Sequence, residues 1–389
     1  MKYILDEWRY VLSKIRKKDF SFIIIYYIYI FFEALSQTEM TFAEIKYIKW
    51  LCMCCMVLRI LTENKVKKKY ILWWCLFGIL CFVIGWKSAD LLKVMSVCVF
   101  TYAATDVKSD RLVKTALIAI STVLIMTMTM SYAGVIPFIV SSVGKRVRYN
   151  LGFKYATFSS NFFLHAVAMW LFVKKREVRK REIIGIVIIN YILYRLTDTR
   201  ATNIEVLFIV VVIMISKVTP MLEQSKLKKI YQFAFPAGCL ISILLQIFYN
   251  KSKTWMVILN TVLNYRLSLG NYAFNDYGFS LFGQYVQWNS FDKEASVDYY
   301  YVDSSYMNIA IVYGVILLII LVIGFSFMMN EYIRNNNKNK CTALLLLAIH
   351  SMMNPQLFNL LYNPFLFVML PHFIDCIANI GRNKRIKKK

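Results

Sequence analysis

Charge is scarce in this chain of 389 residues: Asp, Glu, Lys and Arg make up 18% of it, against roughly 25% in a soluble protein. Hydrophobic residues make up 59%, where roughly 45–50% is usual, so a soluble globular fold is excluded. Histidine occurs only three times, which argues against a histidine metal cluster. No paired-His metal spacing, Gly-rich phosphate loop or Gly-x-Ser-x-Gly elbow is present, so neither a metal nor a cofactor is implied. No internal repeat is visible. Cysteine is absent from every segment expected outside a membrane, which removes an extracellular disulfide framework. Cys52 and Cys55 make a Cys-x-x-Cys inside an apolar block with no second pair or histidine nearby, so packing is the better reading than zinc or redox chemistry.

What is abundant is apolar sequence in uninterrupted blocks divided by basic punctuation, the pattern of helices crossing a hydrocarbon layer of ~30 Å. The blocks fall at 20–36, 45–62, 70–86, 89–105, 112–136, 161–173, 182–198, 203–216, 230–249, 304–329, 342–353 and 357–377. The expected fold is therefore all-α, a polytopic membrane helix bundle of about twelve spans with one long extracytoplasmic loop. With a cytoplasmic N-terminus the inner segments hold 32 Lys/Arg and the outer segments 10, leaving Lys46, Lys49, Arg59, Lys93 and Arg195 inside spans. Positive residues stay on the cytoplasmic side, so both termini are expected inside. The net charge of +25 is then a matter of topology and implies no nucleic-acid partner.

Ahead of the first block, Ile4, Leu5, Trp8, Leu12 and Ile15 recur at helical spacing while Lys2, Arg9, Arg16 and Lys17 take other faces. This predicts an interfacial helix anchored on the inner leaflet, retained because no small-residue cleavage site follows. The expected organisation is that helix over 1–19, transmembrane helices over 20–249, an extracytoplasmic catalytic or lid loop over 250–303, further spans over 304–377 and a basic cytoplasmic tail over 378–389.

Three outward features are not explained by topology. The segment from Pro137 to Ser160 carries Lys145, Arg146, Arg148 and Lys154 where positive charge is normally avoided. Anionic headgroups would attract them, and so would a polyanionic substrate such as a lipid-linked pyrophosphate. The turn Arg195-Leu-Thr-Asp-Thr-Arg-Ala-Thr-Asn203 places Asp198 and Arg200 at the membrane boundary, where ionizable groups mark a site by default. Arg195, Asp198, Arg200 and Glu205 forming a structural ion-pair network is the other reading. The connection from Asn250 to Asp303 is 54 residues long and rich in aromatics, among them Trp255, Tyr272, Tyr285, Trp288, Tyr299, Tyr300 and Tyr301. Aromatic faces with Asn, Gln and Asp suit a sugar-binding surface, and a lid lying on the headgroups has the same composition. His350 either lines a cavity or is a hydrogen-bonded intramembrane histidine. Pro355, Pro364 and Pro371 break the final spans and admit irregular backbone there.

The stretch Asp-Ser-Ser-Tyr-Met-Asn-Ile-Ala-Ile-Val-Tyr-Gly, residues 303–314, resembles the loop-to-helix signature of the O-antigen ligase and Wzy-type polysaccharide polymerase superfamily, with Asp303 where the ligases have His and Leu317 at a later small or Tyr position. Arg148-Tyr-Asn-Leu-Gly-Phe153 leading to Asn161 is similar to that group's Gly-Phe-x-x-Pro-Asn element, though longer and without Pro, and Thr197-Asp-Thr-Arg200 to its Thr-x-Ser-Arg element. The resemblance implies a metal-independent glycosyltransferase of a bacterial cytoplasmic (inner) membrane. It would join undecaprenyl-pyrophosphate-linked oligosaccharides, donor and acceptor, into capsular or O-antigen polysaccharide, with a chain-length regulator as a further partner. On this reading Arg200 and Arg266 clamp pyrophosphate, Arg148 and Lys154 support them, and Asp303 is the base or acceptor-orienting group, with Asp276 and Asp298 as rivals. Asn161, Asp198, Tyr306 and His350 complete the expected substrate-binding set. Against the catalytic reading of Asp303 stands an N-cap role, since Asp before Ser-Ser at a helix start is a common cap. A flippase for the same lipid-linked sugar, or a polysaccharide ligase, is the alternative function.

Single cysteines at Ser290 and Asn383, placed after the native cysteines are removed, test the orientation. An impermeant thiol reagent applied to intact cells is expected to label Ser290→Cys and spare Asn383→Cys. The reverse pattern would invert the topology.

Overall fold

The computed structural model describes residues 17–63, 68–143, 146–218, 225–289 and 299–374. Most of the interfacial helix expected over 1–19, Lys145, Asp298 and the 378–389 tail lie outside them. Within them the apolar blocks are helices, because a run of apolar side chains in hydrocarbon leaves the backbone no partner but itself. They are α1 (Lys17–Leu35), α2 (Ile45–Glu63), α3 (Lys68–Lys87), α4 (Leu91–Ala103), α5 (Ser109–Tyr132), α6 (Ala156–Val173), α7 (Lys180–Thr197), α8 (Arg200–Val218) and α9 (Ser225–Ile247). After the long connection come α12 (Ser305–Asn308), running on as a π turn over Ile309–Tyr313, then α13 (Val315–Arg334), α14 (Lys338–Met353) and α15, residues 366–374. The connection itself is partly helical, with α10 (Thr254–Val262) and α11 (Arg266–Tyr277) in its first half.

Among the described residues, six helical stretches are long and apolar enough to cross a bilayer: Tyr70–Lys87, Ser109–Tyr132, Ala156–Val173, Arg200–Val218, Lys228–Ile247 and Val315–Arg334. Their outer surfaces are apolar too. On α3 alone Ile71, Leu72, Leu76, Ile79, Phe82 and Trp86 are exposed, a patch that water does not tolerate on a monomer. The protein is an α-helical, membrane-embedded bundle. One departure from an all-α fold is a hairpin of β1 (Val140–Val143) and β2 (Arg146–Tyr149), paired antiparallel.

The centre of the bundle is α6, which packs on α5, α7, α8 and α14. Two thirds of it (67%) is buried, against 28% of α3 at the edge. Ser159, Ser160 and Ala168 on α6 are buried, and small residues allow the close approach that helices need where no hydrophobic drive operates between them. Of the basic residues inside the spans, Lys49 is 2.7 Å from Glu33, Arg59 is 3.1 Å from Asp106 and Lys93 is 3.6 Å from Asp90.

Cross-links sort the turns into two ends. At one end Lys154 N donates to Gln37 O (3.1 Å), Arg148 Nε to Thr197 O (2.9 Å) and the Tyr313 hydroxyl to Asp90 (2.6 Å). At the other, Arg111 pairs with Asp19, Lys340 with Asp110 (2.9 Å), and Asn339 Nδ2 donates to Lys174 O (3.0 Å). The hairpin, the α7–α8 turn and the long connection therefore share the first end.

Three expected spans change: the block at 357–377, to begin with, is irregular up to residue 365 and helical over 366–374. The block at 161–173 starts its helix at Ala156, which puts Asn161 inside α6 rather than at its entrance. The block at 304–329 is not one helix, because the chain breaks at Gly314. There φ is +96°, and an added Cβ would lie 2.5 Å from Leu281 O and 2.6 Å from Gly283 N. The extended stretch 278–289 runs through that gap, with Val315 N donating to Ser280 O (2.9 Å) and Gln284 N to Val312 O (3.0 Å). Gly314→Ala meets both a left-handed backbone and rigid neighbouring backbone, so it is expected to cost about 1–3 kcal/mol or more. The readout is a lowered thermal midpoint of detergent-purified protein, with Gly185→Ala, which meets open space, as the unaffected control.

Candidate functional site

Two polar clusters occupy the end that carries the long connection. The first gathers around the turn between α7 and α8. Asp198 closes α7 in the left-handed conformation (φ 45°), and Arg200 opens α8 with its Nε 3.3 Å from Asp198 Oδ1 and its side chain 60% exposed. Beneath them Thr197 meets Ser160 on α6 (Oγ1–Oγ 3.0 Å), and its carbonyl accepts from Arg148 Nε (2.9 Å). Lys154, whose carbonyl accepts from Asn150 Nδ2 (3.1 Å), follows the same hairpin with a half-buried side chain. Two guanidinium groups, Arg148 and Arg200, thus reach this turn, with Asp198 beside Arg200.

Of the expected ion-pair network around this turn, the Asp198–Arg200 pair forms. Arg195 is exposed, and Glu205 faces inward, since five residues past Arg200 is roughly 140° round a helix. Glu205 Oε2 lies instead 2.6 Å from His350 Nδ1. His350 Nε2 and His165 Nε2 both reach Gln356 Oε1, at 2.8 and 2.7 Å, and Asn354 Nδ2 stands 3.3 Å from His350 Nδ1. His350 is fully buried and hydrogen-bonded inside the bundle, not exposed at its surface. Asn161 is buried as well and accepts from Thr202 Oγ1 (2.8 Å), which fastens α8 to α6. Tyr306 is fully buried and donates to Ala348 O (3.1 Å), which fastens α12 to α14. These three side chains set helices against one another and sit away from the surface.

The second cluster lies where the long connection enters α12. Ser304, not Asp303, is the N-cap: its side chain accepts from Met307 N and also meets Ser242 Oγ at 2.7 Å. The Asp303 carboxylate is left for other partners. Its Oδ2 is 3.0 Å from Arg266 Nε and its Oδ1 accepts from the Tyr299 hydroxyl at 3.4 Å. Arg266 opens α11 after Asn264 and Tyr265, both at positive φ (51° and 64°), a turn that swings the guanidinium back toward Asp303. Both side chains are about one fifth exposed, 19% and 22%. Asp276, near the end of α11, accepts from the Tyr300 hydroxyl at 2.7 Å.

Sequence reasoning missed Asp90, Lys93 and Tyr313 in this cluster. Lys93 Nζ donates to the Tyr313 hydroxyl at 2.6 Å, which in turn donates to Asp90 Oδ2 at 2.6 Å. The signal was a lysine within an apolar helix three residues after an aspartate, an arrangement costly in hydrocarbon unless it serves a site. His165 was missed as well, since its partner Gln356 lies far along the chain. Burial, and then the Asp303 charge, push the Tyr299 phenol above its usual range. Burial, and then the bond to Asp276, raise Tyr300. Tyr301 is pushed up to about 12, chiefly by burial, with Lys93 opposing. All three stay protonated donors at neutral pH. Among the described residues no group of three or more His, Cys, Asp or Glu is arranged to hold a metal ion, and Cys52 and Cys55 are free thiols.

The chain matches no protein-family model, no curated protein and no solved structure.

Because Ser304 takes the cap, the two neighbours respond differently to substitution. Ser304→Ala loses the cap, about 0.5–2 kcal/mol, and the bond to Ser242 as well. Asp303→Asn loses one partly exposed ion pair, about 0–1 kcal/mol. Thermal unfolding in detergent should therefore rank Ser304→Ala below Asp303→Asn. Equal losses would assign the carboxylate a structural role.

Proposed function

We propose that this protein is a Wzy-type polymerase that joins undecaprenyl-pyrophosphate-linked oligosaccharide repeat units on the outer face of a bacterial cytoplasmic membrane. On this reading the chain crosses twelve times, and the Lys/Arg asymmetry of 32 to 10 supports placing both termini inside. The end bearing the two clusters is then outside. The observation that carries the reading is the Asp303 carboxylate, released from capping by Ser304 and held by Arg266 and Tyr299 at the same end as Arg148, Lys154 and Arg200. An acid placed beside fixed guanidinium groups is what glycosyl transfer from a lipid pyrophosphate requires.

In that transfer a hydroxyl of the acceptor sugar attacks the anomeric carbon of the donor. A new C–O bond forms, the bond from anomeric carbon to phosphate oxygen breaks, and undecaprenyl pyrophosphate departs with the electron pair. Negative charge grows on the pyrophosphate, and Arg200, with Arg148 and Lys154 behind it, stabilises that charge along with the terminal nitrogens of Arg266. Preorganised donors of this kind are worth on the order of 10²–10³ in rate each. The hydroxyl proton passes to Asp303. The leaving group is already built into the lipid-linked donor, so no nucleotide is consumed.

Deleting the protein and sizing the lipid-linked glycans tests the reading. Single repeat units accumulating on the outer leaflet are expected, and accumulation on the inner leaflet would indicate a flippase. In complemented cells, Arg200→Lys and Arg266→Lys keep the charge but lose the planar fork, and each is expected to cut polymer steeply with protein levels unchanged. Asp303→Asn should do the same. Near-normal polymer from both lysine variants would overturn the clamp, and transfer abolished by a chelator and restored by Mg²⁺ would replace it with a metal.

A further inference from the structure

Three consecutive tyrosines divide their side chains among three partners. Tyr299 donates to Asp303, Tyr300 donates to Asp276, and the Tyr301 ring packs against Trp288 with centroids 5.3 Å apart. Trp288 also stands 5.7 Å from the Tyr300 ring and 6.5 Å from that of Tyr277. The strand-like pairing of Asn289 with Tyr300, N to O at 2.9 and 2.8 Å, fixes Trp288 beside the tyrosines. Behind Tyr301 lie Lys93 and Asp90, whose charges act on its phenol along with that of Asp303. All three tyrosines and Trp288 are only partly buried, so each keeps some surface exposed beside the carboxylates.

The charges of the two clusters divide their ligands. Around the α7–α8 turn stand the guanidinium groups of Arg148 and Arg200, whereas here the carboxylates of Asp276 and Asp303 accept from phenols beside Trp288. A pyrophosphate belongs with the first. The second, where Asp276 and Asp303 stand among aromatic rings, suits a hydroxyl-rich ligand with an apolar face. Aromatic rings carry negative faces that attract polarised C–H edges, and aspartates accept hydroxyl protons. Building on the polymerase reading, we infer that Trp288, Tyr300, Tyr301 and Asp276 form a carbohydrate subsite for the acceptor, separate from the pyrophosphate site. A pyranose stacks on Trp288 and Tyr301, Asp276 and Tyr300 hold its hydroxyls, and its nucleophilic hydroxyl points toward Asp303. Arg266 pairs with Asp303 beside this subsite.

The probe is the repeat-unit oligosaccharide released by mild acid from the lipid-linked glycan of cells that lack the protein, titrated into detergent-purified full-length protein and followed by saturation-transfer NMR. Trp288→Phe keeps an aromatic face and Trp288→Leu keeps apolar bulk without one. We expect Trp288→Phe to bind within a few-fold of wild type and Trp288→Leu to bind about tenfold more weakly, with Asp276→Asn weakened and Arg200→Lys unchanged. Inorganic pyrophosphate should not displace the oligosaccharide. Binding by Trp288→Leu equal to wild type, or displacement by pyrophosphate, overturns the subsite while leaving the polymerase reading standing. Absence of any accumulating lipid-linked glycan overturns both.

Discussion

A buried chain of hydrogen bonds runs through the middle of the bundle, from Glu205 to His350, from His350 to Gln356 and back to His165. In hydrocarbon a polar group without a partner costs several kcal/mol, so these four side chains must meet, and with them α6, α8, α14 and the irregular segment after α14. Ser305 extends the chain by donating to Asn354 O and accepting from Leu357 N. The start of α12, and with it Asp303, is thereby tied to the helix that carries Arg200. The separation of the two polar clusters is set from below, by residues that neither cluster exposes.

The same requirement explains the backbone between α14 and α15. Residues 354–365 are irregular yet buried, a conformation lipid does not permit but protein surroundings do. Asn363 Nδ2 donates to Leu357 O, and Leu357, Phe358 and Leu361 pack into the core. Pro355 and Pro364 keep this segment out of a helix, which frees the amide of Leu357 for Ser305 and the carbonyl of Asn354 to accept from the same hydroxyl. The break in the chain and the satisfaction of its neighbour are one arrangement.

The membrane class and the position of nearly every helix were legible in the sequence because long apolar blocks signal them without reference to anything distant. What depended on distant partners was not. Gly314 reads as one more residue of a span until Leu281 and Gly283 are found against it. Asp303 reads as a cap because the rule applies equally to Ser304, and only the bond to Met307 N decides between them. Among the candidate residues, Arg266 and Asp303 come together, as do Arg148, Asp198 and Arg200, whereas Asn161, Tyr306 and His350 turn inward. Conspicuous residue types showed where polar groups gather at the bundle end, but not which of them face the interior.

The order in which the chain is made gives the buried chain a further meaning. His165 and Glu205 are synthesised long before Gln356, the residue that joins the two histidines, and before His350, the partner of Glu205. While the later helices are still in the ribosome, α6 and α8 hold polar side chains for which hydrocarbon supplies nothing, so the first eight helices have no finished packing of their own. Completion of the bundle waits on His350 and Gln356, and a polypeptide cut short before them reaches the membrane as a set of helices still lacking the ligature that holds its two polar clusters in place.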